Sequence, residues 1–324
     1  MTLKKVLLSS FLLATPLLIG GGVYVAQSGV QAASEEKPDQ AWMELNKSIQ
    51  FQVSHFPGTA GIYIKDLKTG WTIQYNGGNL FPSASLVKLP VMATLYQAQV
   101  KGQVSLDQSL PILRNLKASG SGRLKFQRAG TRVTIRQLIY KMITESDNTA
   151  TNVLTNIFGL DYYNAQFMAM GLSRTNFSRT IMDLRKRDRG IENYTTPEDM
   201  AKILEKIYGG ELTGSEEMVE ILKSQKVNDR LPLGIPPEWQ IGHKTGLMRS
   251  TCHDVGIVYA PTGDYIICAL TKDIHSYRRA KNFISEISHL AADYYADPSL
   301  HRPEPNKSFW TKIWNRKPKK AGLG

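Results

Sequence analysis

Two groups of alternating segments stand far apart in this chain, and together they restrict its fold more than any other feature. Ala60-Gly-Ile-Tyr-Ile-Lys-Asp66 and Trp71-Thr-Ile-Gln-Tyr75 alternate about a Lys68-Thr-Gly70 turn, which reads as a β-hairpin. Strands return only at Trp239–Lys244, Thr251–Ala260 and Asp264–Thr271. Between the two groups the apolar spacing is helical, over Ser85–Val100, Thr134–Thr144, Thr149–Phe158, Asp161–Met170, Thr196–Tyr208 and Glu216–Lys223. Amphipathic helices over Ala41–Phe56 and Tyr277–Tyr295 flank the whole. No internal repeat is visible. Distant strands must therefore meet in one sheet, and the expected class is α+β: an antiparallel sheet flanked by helices, an α/β sandwich, with an all-helical region inserted. The sheet part is expected over about 41–84 and 216–296 and the helical part over about 85–215.

The ends of the chain bear on location. Lys4 and Lys5 precede an almost wholly apolar run, Val6 to Val25, and Val30-Gln-Ala32 offers small residues to a signal peptidase. Residues 1–33 thus read as a signal peptide or, if uncleaved, an N-terminal anchor; Pro16 and Gly20 to Gly22 favour cleavage. Either way the body is expected outside the cytoplasm, secreted or associated with the cell envelope, and nucleic acid drops out as a partner for the +12 charge. Residues 297–324 hold seven Lys and Arg against two acids, with Phe309, Trp310 and Trp314 among them. That basic, aromatic tail suits contact with an anionic membrane or cell-wall surface, or is simply solvated. Two cysteines cannot make a disulfide framework. A turn at Pro261–Asp264 would set Cys268 opposite about Ile257 rather than Cys252, so two buried free thiols are expected.

Three short motifs carry chemistry: Ser85-Leu-Val-Lys88, Ser146-Asp-Asn148 and Lys244-Thr-Gly246. An S-x-x-K occurs by chance about once in a chain of ordinary composition. Ser34-Glu-Glu-Lys37 is indeed a second copy, in a polar linker, and Lys68-Thr-Gly70 is a second K-T-G, in a hairpin turn. The other three stand in the right context. Ser85 opens the most apolar helix of the body, Ser146 punctuates two helices, and Lys244 ends a strand that another follows.

A serine hydroxyl needs a base, and residues i and i+3 share a helix face, so Lys88 can reach Ser85. Burial and a second cation, Lys244, would lower the Lys88 pKa far enough for that task. Ser146 can relay a proton to a leaving nitrogen, and Asn148 offers an amide to a substrate carbonyl. Lys244 and Thr245 can hold a carboxylate, and Gly246 lets an edge strand approach the substrate. The backbone N–H groups of Ser85 and Leu247 are candidates for an oxyanion hole. Together these describe acyl transfer through a serine ester, with no cofactor and no metal. His243, His253 and Asp254 have metal-like spacing but lack a third ligand in register, and they read as strand packing.

At these residues the chain resembles the penicillin-recognising serine enzymes, most closely the catalytic domain of class A β-lactamases. The resemblance spans about residues 41–296. Phe81-Pro-Ser-Ala-Ser85-Leu-Val-Lys88-Leu-Pro90 is similar to the family's nucleophile helix, and Met142-Ile-Thr-Glu-Ser146-Asp-Asn-Thr-Ala-Thr-Asn152 to its second motif. Tyr194-Thr-Thr-Pro197 is similar to the helix start after its omega loop, and Gly242–Gly246 with His253-Asp-Val-Gly-Ile-Val258 to its last strands. The resemblance implies a helical domain packed on a sheet, with the active site between them. One departure stands out. The family's omega loop carries a glutamate, in an E-x-x-L-N segment, that activates water against the acyl-enzyme. The matching stretch here, Arg179 to Asn193, contains no E-x-x-L-N. Asp183 and Glu192 are the possible substitutes, unless neighbouring arginines pair with them.

The expectation is a monomeric, exported serine hydrolase that opens β-lactams through Ser85. The alternatives are a D,D-peptidase-type enzyme acting on D-Ala-D-Ala-like stem peptides of peptidoglycan, and a penicillin-binding or sensing protein that is acylated and stays so.

Overall fold

The computed structural model describes residues 37–297; the proposed leader and most of the basic tail lie outside them. In chain order the elements are α1 (Gln40–His55), β1 (Thr59–Asp66), β2 (Thr72–Tyr75), β3 (Phe81–Pro82), α2 (Lys88–Val100), β4 (Ser109–Pro111), β5 (Arg132–Thr134) and α3 (Ile135–Thr144). Then follow α4 (Asn148–Thr155), α5 (Leu160–Ala169), α6 (Leu184–Asp188), β6 (Tyr194–Thr195), α7 (Pro197–Tyr208), α8 (Ser215–Lys223), β7 (Gln240–Met248), β8 (Thr251–Tyr259), β9 (Tyr265–Lys272) and α9 (Tyr277–Ala296). Five strands form one antiparallel sheet in the order β2-β1-β9-β8-β7, so the early hairpin meets the late strands through β1 and β9. This is the α+β fold that the two distant strand groups require.

Strand β9 shows why the sheet carries a layer on each face. Its residues Tyr265 to Thr271 are all buried, as in a strand covered on both sides. Tyr265, Ile267 and Ala269 join a core with Trp42, Leu45 and Ile49 of α1 and with Ile284, Ile287 and Ala291 of α9. Ile266, Cys268 and Leu270 face the opposite core, built from α2, α3, α7 and α8. Each such fully buried aliphatic side chain contributes about 1.5–3 kcal/mol.

Local signals set the helix starts. Asp39 caps α1 through Trp42 N (2.6 Å), Thr134 and Gln137 form a capping box on α3, and Thr196 with Pro197 opens α7. Helix α2 is buried nearly all round, from Lys88 through Tyr96, which anchors its first turn in the core.

The expected β8–β9 register was wrong by two residues. Cys268 lies opposite Val255 rather than Ile257, and Cys252 opposite Thr271, because Val258 already pairs with Tyr265 and the connection is longer than a four-residue turn. The cysteines are free, buried and on opposite faces of the sheet. Strand β7 also runs past Lys244 to Met248, so Lys244-Thr-Gly246 lies within the strand instead of ending it.

Candidate active site

Ser85 stands in a short 3-10 turn, Ala84–Val87, ahead of the regular helix. Ala84 has a φ of 46°, a left-handed conformation costing about 1–2 kcal/mol at a non-glycine residue. Flanking contacts impose it: Ser83 N donates to Asn193 O (2.7 Å), Leu86 N donates to Ser83 O (2.9 Å), and Leu86 and Val87 are fully buried. Ser85 is thus held half-buried in the lining of a cleft of about 250 Å³.

Lys88, one turn on, is fully buried. Its Nζ reaches Ser146 O (2.7 Å), Asn148 Oδ1 (2.8 Å) and Ser146 Oγ (3.2 Å). Ser146 presents both its carbonyl and its hydroxyl to this amine because its backbone is left-handed, with a φ of 53°. No hydrogen bond joins Ser85 Oγ to Lys88 among the described residues; the lysine is clamped to the α3–α4 turn. Burial pushes the Lys88 pKa well below the ordinary lysine range, and the Lys244 charge lowers it further against the pull of Asp147. A neutral amine has two N–H donors and one lone pair. In that form Lys88 keeps its bonds to the two carbonyl oxygens and turns its lone pair to the Ser146 hydroxyl.

Lys244, also fully buried, donates from β7 to Thr245 O (2.8 Å) and Ser146 Oγ (3.2 Å). Ser146 therefore bridges two lysines. Burial lowers Lys244 to about 7, with Asp254 resisting and Arg230 adding to the fall. Thr245 is buried beside it. At Gly246 a Cβ would lie 3.1 Å from the His253 ring and 3.3 Å from Leu86 Cγ, so glycine lets β7 close on the nucleophile turn. Strand β7 is an edge strand, and Leu247, about half exposed, lines the cleft from it.

Asn148 Nδ2 donates to Ser119 O (2.8 Å), leaving its second amide hydrogen for a ligand. Asp147 caps α4 through Ala150 N (2.8 Å) and accepts from Leu124 N (2.9 Å), tying the loop at 119–124 to the cleft. Gly122 in that loop has a φ of 90°, and a Cβ there would sit 2.1 Å from Asp147 Oδ2. The loop is pinned by close approach.

Neither candidate carboxylate stands free beside Ser85. Asp183 accepts from Lys186 N (3.1 Å) as the cap of α6, and it lines a neighbouring groove rather than the Ser85 cleft. Glu192 does line the cleft, but it is held by Arg179 Nη2 (2.6 Å) and Nε (2.9 Å) and by Asn193 N (2.7 Å). Between Arg179 and Asp183 the cleft is lined by Met182 and by Ile181. Its backbone is gripped by the Asn152 amide, which accepts from Ile181 N (3.1 Å) and donates to Ile181 O (3.2 Å).

Several contributors have no sequence signal. Arg230 is buried beneath β8, its Nε on Cys252 Sγ (3.1 Å) and its Nη1 on Asp229 (3.0 Å), and its charge acts on Lys244. Asp254 accepts from Leu231 N (3.2 Å) and bonds His243 Nδ1 (2.9 Å). His253 accepts from Thr271 N (3.1 Å) at Nδ1, so Nε2 donates to Pro82 O (2.8 Å) behind the nucleophile turn. Burial pushes it down to about 4, and it stays neutral. Both histidines are thus engaged in strand packing.

A cleft-lining serine, two buried lysines sharing one hydroxyl, a free amide hydrogen and an open strand edge are the kinds of parts that serine-ester chemistry requires. A protein-family model described as "Beta-lactamase enzyme family" matches residues 44–295. The chain belongs to the β-lactamase enzyme family. Relatives include a β-lactamase of Bacteroides uniformis, 25% identical over 78% of this chain and 92% of its own length, and β-lactamase 3 of Bacillus cereus, 27% identical over 73% and 74%. Among solved structures PBP-A aligns with a TM-score of 0.74 and 30% identity, over 79% of this chain and 97% of that one. A mutant of PBP-A is known as an acyl-enzyme complex with penicillin G. A β-lactamase from Sphaerobacter thermophilus aligns with a TM-score of 0.72 and 28% identity, over 81% and 99%.

Proposed function

We propose that this protein is an exported, penicillin-binding serine acyl-transferase that opens β-lactams quickly and releases the opened product slowly. Ser85 Oγ attacks the lactam carbonyl carbon, and its proton passes through Ser146 to the lone pair of Lys88. Negative charge collects on the carbonyl oxygen, facing the N–H groups of Ser85 and Leu247. The C–N bond then breaks, and the leaving nitrogen takes a proton from Ser146, which Lys88 replenishes. Lys244 and Thr245 hold the substrate carboxylate, and Asn148 holds the side-chain amide carbonyl.

One observation carries the second half of this reading. The carboxylate that lines the cleft, Glu192, is locked in an ion pair with Arg179, and both side chains are more than nine-tenths buried. No free carboxylate stands ready to activate water beside Ser85 among the described residues. The same cleft suits a D-Ala-D-Ala peptide as natural acyl donor, since it offers the same carboxylate and amide to the same groups. The test is a time course with fluorescent penicillin on the chain from residue 34 onward. Rapid labelling that outlasts gel electrophoresis and is abolished by Ser85→Ala is expected; fast turnover of a chromogenic cephalosporin with no lasting label would refute slow release.

A further inference from the structure

Beside the catalytic cleft lies a second concavity of about 600 Å³, between the segment 115–119 and the segment 180–189. The two share Ile181, Met182 and Leu184 as a dividing wall. The groove contains no residue of β7, whereas the catalytic cleft is lined by Leu247 and Met248 of that strand. Its lining is unusually cationic: Lys117, Arg185, Lys186 and Arg189, against the single carboxylate of Asp183. Asp183 is occupied as the cap of α6, and Lys117 Nζ is turned to the Gln127 carbonyl. Arg185, Lys186 and Arg189 are exposed and make no ion pair among the described residues. Arg187, of the same short helix, points the other way and lines the catalytic cleft. One basic run thus supplies charge to both sides of a thin wall, and the stretch continuing from the catalytic cleft is polar and positive where an apolar acyl pocket would be uncharged.

We infer that this groove is an acyl-side subsite for an acidic peptide, so that the preferred acyl donors carry carboxylates two or three residues away from the reacting carbonyl. This rests on the reading of Ser85 as the acylated nucleophile. An extended peptide covers about 3.3 Å per residue, so a three-residue arm reaches about 10 Å beyond the reacting carbonyl. Guanidinium groups take carboxylates in paired hydrogen bonds, and exposed pairs are individually weak, so the effect is a sum of several modest contacts.

The experiment compares two penicillins with the same nucleus, one acylated with a triglutamyl arm and the other with a triglutaminyl arm. The wild-type protein is expected to be acylated about tenfold more efficiently by the acidic one at low salt, a preference that fades as salt rises. The triple variant Arg185→Glu, Lys186→Glu, Arg189→Glu should reverse the preference, read as the ratio of the two acylation rates in the same protein. A control variant, Lys47→Glu, Lys101→Glu, Arg279→Glu, alters the net charge equally on exposed surfaces elsewhere and should keep the preference. Equal rates in the wild type, or equal loss in the control, would overturn the subsite. Anisotropy of a fluorescent triglutamate peptide, read without any acylation, decides the matter separately: if no penicillin labels Ser85 the functional reading fails, while groove-dependent binding of the peptide still stands or falls alone.

Discussion

Replacing Ile181 by glutamate should convert a slowly released acyl-enzyme into one that turns over. Ile181-Met-Asp-Leu184 preserves the leucine of the family's E-x-x-L-N pattern, with isoleucine in the place of the glutamate. The side chain is half-buried in the cleft wall at the edge of the helical core, and two hydrogen bonds with the Asn152 amide fix its backbone, so a new carboxylate would be delivered to the cleft. A positioned general base contributes about 10²–10⁴-fold. Arg187 and Arg249 line the same cleft and would depress the basicity of the new group, which places the expectation near the lower end, about 10²-fold, or about 2.7 kcal/mol of barrier. The assay follows the loss of fluorescent penicillin label by gel and the return of free protein by intact mass. Ile181→Gln has nearly the same shape and no base, so it should leave the lifetime unchanged. Equal lifetimes for the glutamate and glutamine variants, in protein that still labels, would show that the missing carboxylate is not what limits release.

Other perturbations test the remaining parts of the site. Ser146→Ala, which removes the hydroxyl shared by Lys88 and Lys244, should slow acylation by about 10²-fold while fluorescent-ligand binding measured with Ser85→Ala protein is kept. Lys244 titrates at about 7, so its ammonium is present below that pH and lost above it; affinity for a carboxylate-bearing β-lactam should fall as pH rises through 7, and Lys244→Arg should remove that fall between pH 6 and 9. Gly122→Ala forces a Cβ onto Asp147 at a φ of 90° and should cost about 2–4 kcal/mol, seen as a lower urea midpoint, through left-handed strain plus a weakened α4 cap. Glu192→Gln leaves the Arg179 charge buried without its partner; a loss of about 3 kcal/mol and faster proteolysis within 179–193 are expected.

The part of the site that sequence reveals is the part built from local contacts. Ser85 and Lys88 are three residues apart, Ser146 and Asn148 two, and Lys244 to Leu247 are consecutive on one strand, so each motif survives as a short word. Fold class is legible for a similar reason, because strand β9 and helix α2 are apolar enough to declare themselves. What the words omit is set by three-dimensional burial. Arg230 is an ordinary arginine in a string of letters, yet the fold places it under β8 where its charge acts on Lys244. Asp183 shows the opposite error: a carboxylate in the right stretch of sequence, drawn off to cap α6 on the wrong side of a wall. The segment 179–193 has no periodicity to read, and its path is fixed by side-chain amides, Asn152 and Asn193, bonded to its backbone.

The two half-reactions therefore belong to different kinds of structure. On the proposed reading, acylation depends on α2, the α3–α4 turn and β7, whose two lysines are fully buried and cannot be altered without leaving a carbonyl unpaired in the core. On the same reading, release depends on what the 179–193 segment presents to the cleft; its backbone is fixed by Asn152 and Asn193, its side chains at 181, 185 and 189 line the two cavities, and Ile181 also packs against the helical core. Substitution there changes what enters the cleft without disturbing what holds it together. The same backbone is for that reason expected to carry either the isoleucine present here or a carboxylate, and the basic run on α6 can vary independently of both. Binding and turnover would then be separable properties of one scaffold, and the proposed slow release makes position 181 the place where the lifetime of a Ser85 ester is expected to be set.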